Sequence, residues 1–244
     1  MTQQRGLDIG YVTTEQMIEV DRVMIEEFRI SLVQMMENAG RNLAHLARSR
    51  FLNGDPRRRR IVVLAGTGGN GGGALVCARR LHCWGADVRV FITAEPAAFS
   101  PGAAHQLEIV ERLGIPVARG GELGGADPEL IIDGVIGYSL HGPPRDDAAD
   151  VIRWANGHAA PVLSLDAPSG VDTTTGRALE PAVVATATMT LALPKTGLRA
   201  PGVEAYVGEL YVADIGVPPS LYSQPALGLE IGPLFACDEI IRLS

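Results

Sequence analysis

The run GTGGNGGGALVCARRL, Gly66 to Leu81, has glycine at six of its first eight positions and then turns into helix-like sequence. A glycine-rich turn lets a ligand come close to the backbone, and the start of a helix offers free amides to an anion. Asn70 is the one polar side chain within the stretch from Gly68 to Gly73. Its amide can give an oxygen to a cation or a nitrogen to an acceptor. Further on come Asp133 in ELIIDGVIG and Asp166 with Ser169 in LDAPSGVD. Gathered in one crevice, these would supply an amide, carboxylates and a hydroxyl to a bound ligand. Gly66-x-Gly68-x-x-Gly71 also satisfies the dinucleotide fingerprint, with Glu95 near the end of the next strand as a ribose acceptor. No Gly-Lys-Ser/Thr closes the loop, which excludes a Walker site.

Such residues need strand ends to hold them, and the chain supplies the strands. IVVLA (Ile61 to Ala65), DVRVFIT (Asp87 to Thr93), ELIIDGVIG (Glu129 to Gly137), PVLSLD (Pro161 to Asp166), TMTLAL (Thr188 to Leu193) and a last strand from Glu209 to Asp214 read as apolar strands. Helices are expected over Ala74 to Trp84, Ala103 to Leu113 and Asp147 to Ala155. This alternation predicts an α/β fold: a Rossmann-like, doubly wound, mostly parallel sheet with helices on both faces. Ligands bind such sheets at the carboxyl ends of the strands, where strand order reverses. Two capping boxes, Thr13-x-x-Gln16 and Ser31-x-x-Gln34, start two amphipathic helices that form an N-terminal helical arm.

With 244 residues, 46% hydrophobic and 20% charged, the chain is expected to form one domain spanning 1–244. A net charge of −7 provides no basic field for nucleic acid. Arg57 to Arg60 reads as a solvated strand entrance. Cys77, Cys83 and Cys237 make no metal-ligand pattern and read as reduced thiols. No signal peptide or membrane span is apparent, so a cytoplasmic protein is expected. The apolar residues Met17, Met24, Phe28, Leu32, Met35 and Met36 exceed what one sheet face covers, which points to a homodimer.

The glycine loop resembles the GxGNNGGDGLVAAR signature of the YjeF N-terminal domain family. Five more stretches agree in order: LVQMMENAGR, DGVIGYSLHG, LDAPSGVD, TMTLALPKTG and VADIGV. The resemblance covers roughly residues 13 to 217. It implies an NAD(P)H-hydrate epimerase, an isomerase of metabolite repair acting on hydrated NAD(P)H (NAD(P)HX). It also implies a potassium ion held by Asn70, Asp133 and Ser169, a sensible donor set for a large hard cation. The ligand-binding residues it implies are Gly69, Asn70, Gly71, Gly72 and Gly73, the loop Gly137, Tyr138, Ser139, Leu140, His141, Gly142 and Pro143, and Asp166. Asp166 is the candidate acid–base, with Lys195 as its electrostatic or proton-shuttling partner. Relatives fused to a dehydratase domain imply a separate dehydratase partner in the pathway, since 244 residues leave no room for that domain.

Gly69 and Gly73 stand where the family has Asn and Asp, and Thr186 where it commonly has Asp. Those departures keep open a binding module that retained the fold without the chemistry. The dinucleotide fingerprint keeps open a dehydrogenase. Read without the resemblance, Asp133 is a buried acid bonded to amides at a strand end, Asp166 caps the Pro168-Ser169-Gly170 turn, and Lys195 is an exposed charge beside Pro194.

Overall fold

The computed structural model of the chain describes residues 9–244. Eight strands form one sheet: β1 (Arg60–Ala65), β2 (Asp87–Ile92), β3 (Val117–Arg119), β4 (Leu130–Gly134), β5 (Val162–Leu165), β6 (Ala187–Leu191), β7 (Glu209–Ala213) and β8 (Ile240–Arg242). Their order is β3-β2-β1-β4-β5-β6-β7-β8, all pairings parallel except β7 with β8. Strand order reverses between β1 and β4, which pair Leu64 with Asp133 and Ala65 with Gly134. The topology is Rossmann-like and doubly wound, and it puts the crevice at the carboxyl ends of β1 and β4.

Period-2 alternation divides the strands between two cores. Ile61, Val63 and Ala65 face the layer made by α1 (Thr14–Glu26), α2 (Leu32–Leu46), α3 (Gly69–Cys83) and α4 (Pro101–Arg112). Val62 and Leu64 face α5 (Asp146–Asn156) on the other side. Both expected capping boxes form. The Thr13 hydroxyl accepts from the Gln16 amide at 3.2 Å and the Gln16 side chain accepts from the Thr13 N–H at 2.9 Å; Ser31 and Gln34 repeat the exchange.

Four sequence expectations change. The helix expected from Ala74 begins at Gly69, inside the glycine run. Glycine disfavours helix, but close packing overrides that cost here. A Cβ on Gly71 would lie 1.8 Å from the Gly66 carbonyl oxygen, and one on Gly72 would lie 2.6 Å from Met36 Sδ. Next, β3 and β8 have no counterpart in the reading, because three-residue edge strands carry too little alternation to register. Third, Met17, Met24, Met35 and Met36 are buried within the chain itself, since α1 and α2 extend the helical layer. Of the apolar surplus behind the homodimer, Phe28 stays exposed at 38% and Leu32 half-buried, and α1 also exposes Ile18 and Ile25, at 54% and 41%. Finally, Glu95 pairs with Arg119 and is 75% exposed, so it is not poised for a ribose.

The arginine run lies at a solvated strand entrance as expected, and its exposed side chains pair Arg57 with Asp55, Arg59 with Glu129 and Arg60 with Asp127. All three cysteines are free thiols, Cys77 buried and the other two exposed. Among the described residues no helix is long and apolar enough to cross a membrane.

Candidate functional site

A cavity of about 260 Å³ opens at the strand ends, between the sheet and α1, α2 and the first turn of α3. Its wall is mostly apolar, with Leu32, Met35, Leu165 and Ile215, and polar groups enter from Asp21, Asn70, Tyr138, Asp166 and Lys195.

Asp166 follows β5 at φ +66°, a left-handed conformation that aspartate tolerates better than most residues. Its N–H donates to the Met189 carbonyl at 2.7 Å, which ties the turn to β6. The Lys195 ammonium donates to Asp166 Oδ1, to the Leu191 carbonyl at 2.9 Å and to Thr190 Oγ1 at 3.2 Å, using all three of its hydrogens. Lys195 is fully buried and Asp166 is 3% exposed. Lys195 is thus no exposed charge beside a proline. A buried ammonium and carboxylate need each other, because desolvation of either alone costs several kcal/mol, roughly. The backbone on both sides of Lys195 is pinned by Val12: the Val12 N–H donates to the Pro194 carbonyl and the Thr196 N–H to the Val12 carbonyl, each at 3.0 Å.

Asp133, at the end of β4, is fully buried. Oδ1 accepts from Ser169 Oγ at 2.6 Å and Val135 N at 3.2 Å; Oδ2 accepts from Ser164 Oγ at 2.8 Å and Ser169 N at 2.9 Å. Burial pushes its carboxyl above the ordinary range, opposed by these four donors. The carboxylate joins the loops after β4 and β5. Ser169 Oγ also accepts from Ile136 N at 2.8 Å. At the adjacent residue, a Cβ on Gly137 would sit 3.0 Å from Asp166 Oδ2 and 3.2 Å from Asn70 Oδ1, so Gly137 lies between those two side chains. Asn70 Nδ2 is buried and has no hydrogen-bond partner among the described residues.

Residues 32–197 match the family described as YjeF-related protein N-terminus. The chain belongs to this family. It is 39% identical over 249 residues to an NAD(P)H-hydrate epimerase of Dehalogenimonas lykanthroporepellens, covering 100% of this chain and 96% of that one. It is 36% identical over 230 residues to a bifunctional NAD(P)H-hydrate repair enzyme of Salinibacter ruber, where 88% of this chain spans 42% of the longer relative. The crystal structure of yeast YNL200c shares the fold with a TM-score of 0.77 at 24% identity, covering 96% of this chain and 100% of that one.

Of the positions matched to YjeF N-terminal ligand contacts, Gly69, Asn70, Gly137, Tyr138, Ser139 and Asp166 border the cavity. Gly71, Gly72 and Gly73 lie buried in α3 behind its wall. Leu140 is half-buried, and His141, Gly142 and Pro143 continue outward as exposed loop that does not line the cavity. Asp21, a wall residue on α1, escaped the sequence reading. Its Oδ2 accepts from the Tyr138 hydroxyl. The signal was available: Asp21 is four residues from Met17, on the helix face that Met17, Val20 and Met24 bury. An acid on a buried stripe requires a partner.

The donor chemistry of the implied potassium site fits this chain through Asn70 and Ser169. Asn70 can offer only its Oδ1 to a cation, since its unpaired buried atom is Nδ2, a donor that suits an acceptor on a ligand; Ser169 Oγ keeps one lone pair after donating once and accepting once. The Asp133 oxygens are each occupied twice, so its charge acts from behind Ser169.

Proposed function

We propose that this chain is an NAD(P)H-hydrate epimerase that interconverts the R and S forms of hydrated NADH or NADPH. The observation that carries the reading is the buried Asp166–Lys195 pair on the wall of a cavity beside the α3 N-terminus. Similarity along nearly the whole length of an epimerase supports it. The substrate bears a hydroxyl at C6 of the reduced nicotinamide ring. Inversion there requires a bond at C6 to break and re-form, and the ring nitrogen's lone pair can stabilise the cation left behind. What the protein must add is proton handling near the hydroxyl, and a place for the dinucleotide.

Asp166 accepts from Lys195, Thr190 and the Tyr138 N–H, at 3.0 Å for the last, which fixes its carboxylate in one orientation. It serves as the proton acceptor beside the reacting carbon, and Lys195 holds it in place. The first amides of α3 suit the pyrophosphate. The apolar wall around Leu165 and Met35 suits the face of a ring. Gly73 lies behind that wall, so its missing side chain leaves the acid–base pair intact. A potassium ion held by Asn70, Ser169 and backbone carbonyls would offset phosphate charge and steady the loop at Ile136–Gly137. The reading includes a cytoplasmic homodimer, with Ile18, Ile25 and Phe28 of α1 and its exit at the contact, and a separate dehydratase consuming the product.

The test supplies the R-epimer of NADPHX together with a dehydratase that consumes only the S-epimer. The chain should accelerate consumption, and Asp166→Asn should abolish the acceleration. A folded wild-type chain that leaves the rate unchanged refutes the proposal.

A further inference from the structure

Asp21 lines the same cavity as the Asp166–Lys195 pair but takes no part in it. It enters from α1, whereas Asp166 and Lys195 enter from the ends of the sheet. Tyr138 holds both acids: its hydroxyl donates to Asp21 Oδ2, and its backbone N–H donates to Asp166 Oδ2. The two carboxyl groups differ in what is left open. Both oxygens of Asp166 already accept, from an ammonium, a hydroxyl and an amide. Oδ1 of Asp21 has no hydrogen-bond partner among the described residues and is available to a ligand in the cavity.

Inversion at C6 poses two proton problems on two faces of one ring. A proton is needed where the hydroxyl departs, and a proton must be removed where water returns. A carboxyl group fixed on one side serves only one of these well. We infer that Asp21, oriented by Tyr138, is a second catalytic residue of the epimerisation, protonating the departing C6 hydroxyl while Asp166 deprotonates the returning water. This assignment rests on the epimerase reading.

The step balances. The C6–oxygen bond breaks with its electron pair going to oxygen, which takes the Asp21 proton and leaves as water. The ring nitrogen's lone pair forms a double bond to C6. Water then adds to C6 from the other face, the double-bond pair returns to nitrogen, and the surplus proton passes to Asp166. Solvent reprotonates Asp21 and relieves Asp166 of its proton, so nothing is oxidised or reduced. The electrostatics suit a proton donor. Burial pushes the Asp21 carboxyl above the ordinary carboxylate range; the Tyr138 hydrogen bond and the Lys195 charge oppose this, and the Asp166 charge adds to it. The titratable groups facing Asp21 are Tyr138, Asp166, Lys195 and Tyr222.

The experiment measures kcat and KM for the R-epimer of NADPHX across pH, in the dehydratase-coupled assay, for wild type, Asp166→Asn, Asp21→Asn and Tyr138→Phe. Asp21→Asn should lower kcat by about 10²–10⁴-fold, the usual contribution of a positioned acid, with KM changed only a few-fold. It should also lose the fall in kcat at high pH that a titrating proton donor produces. Tyr138→Phe keeps Asp21 but removes the hydroxyl that draws its carboxyl down, so that fall should move to higher pH. This second variant keeps the test decisive if Asp21→Asn does not fold. An active wild type with unchanged kcat in Asp21→Asn, or an unmoved profile in Tyr138→Phe, overturns the role of Asp21 and leaves the epimerase reading standing. A wild type without turnover overturns both, and the wild-type arm alone reveals it.

Discussion

Restoring the aspartate that the YjeF resemblance implies at position 73 should destabilise this chain. Gly73 lies in α3 with helical neighbours and, like Gly69, is not at positive φ, so the backbone raises no objection. Space does: a Cβ there would lie 2.8 Å from Leu165 Cδ2 and 3.7 Å from Ala39 Cβ. Overpacking of this kind costs about 1–3 kcal/mol. A buried carboxyl without a partner adds about 1–3 kcal/mol or more. Replacing a helical glycine returns only about 0.5–1 kcal/mol. Gly73→Asp should therefore lose roughly 2–4 kcal/mol, a large part of a typical 5–15 kcal/mol stability. Gly69→Asn is the internal control. Its Cβ would meet nothing nearer than Leu32 Cδ1 at 3.9 Å, and its stability should stay within about 0.5 kcal/mol of wild type. Urea midpoints at constant m-value read these differences. Adding Leu165→Ala to Gly73→Asp removes the clash, so the pair should be about 1–2 kcal/mol more stable than the sum of the single changes predicts. In that double variant the new carboxylate can reach the cavity, where one charged hydrogen bond is worth about ten- to a hundred-fold in nucleotide affinity. Gly73→Asp as stable as wild type, or a purely additive double variant, would refute the packing account.

Lys195→Met should cost about 3–5 kcal/mol in urea unfolding, because it strands the Asp166 carboxylate in the interior, and Lys195→Met with Asp166→Asn should recover part of the loss. Asp133→Ala leaves four donors facing an empty site and should lose about 3 kcal/mol or more, whereas Asp133→Asn keeps the shape and should lose less; thermal unfolding of the two variants compares them. Glu209, bonded to Arg50 and the Tyr211 hydroxyl, has its carboxyl held down at about 2 from an ordinary 4.5, chiefly by Arg50. A depressed carboxylate stabilises the fold above its unfolded value and loses that contribution as pH falls through its folded value. With Arg50 40% exposed, Glu209→Gln should lower stability at pH 7 by only about 1 kcal/mol, and the gap should close as pH falls from 4.5 toward 2 in urea titrations.

Strong local chemistry was legible in the sequence. Thr13 and Ser31 announced their helices through side chains that satisfy the first amides, and the long apolar strands announced the sheet. Asp133, Asp166 and Ser169 were legible as strand-end polar residues, and topology does bring their loops together. What was not legible depends on contacts far apart in the chain. Gly71, Gly72 and Gly73 sit in α3 where the β1 exit, α2 and Leu165 approach too closely for side chains. Without the family resemblance Lys195 reads as a surface charge, because its partners, Asp166 and Thr190, are set by strand order rather than by neighbours in sequence. Asp21 sat in plain view on an apolar stripe, and its partner Tyr138 comes from a loop more than a hundred residues later.

The clasp of Val12 around Lys195 gives the site an order of assembly. Val12 can make no bond to Pro194 or Thr196 until β6, which precedes them, has been translated. Closing a loop of that length carries a large entropic cost, so the backbone around the lysine is fixed only once the strands that carry it are in place.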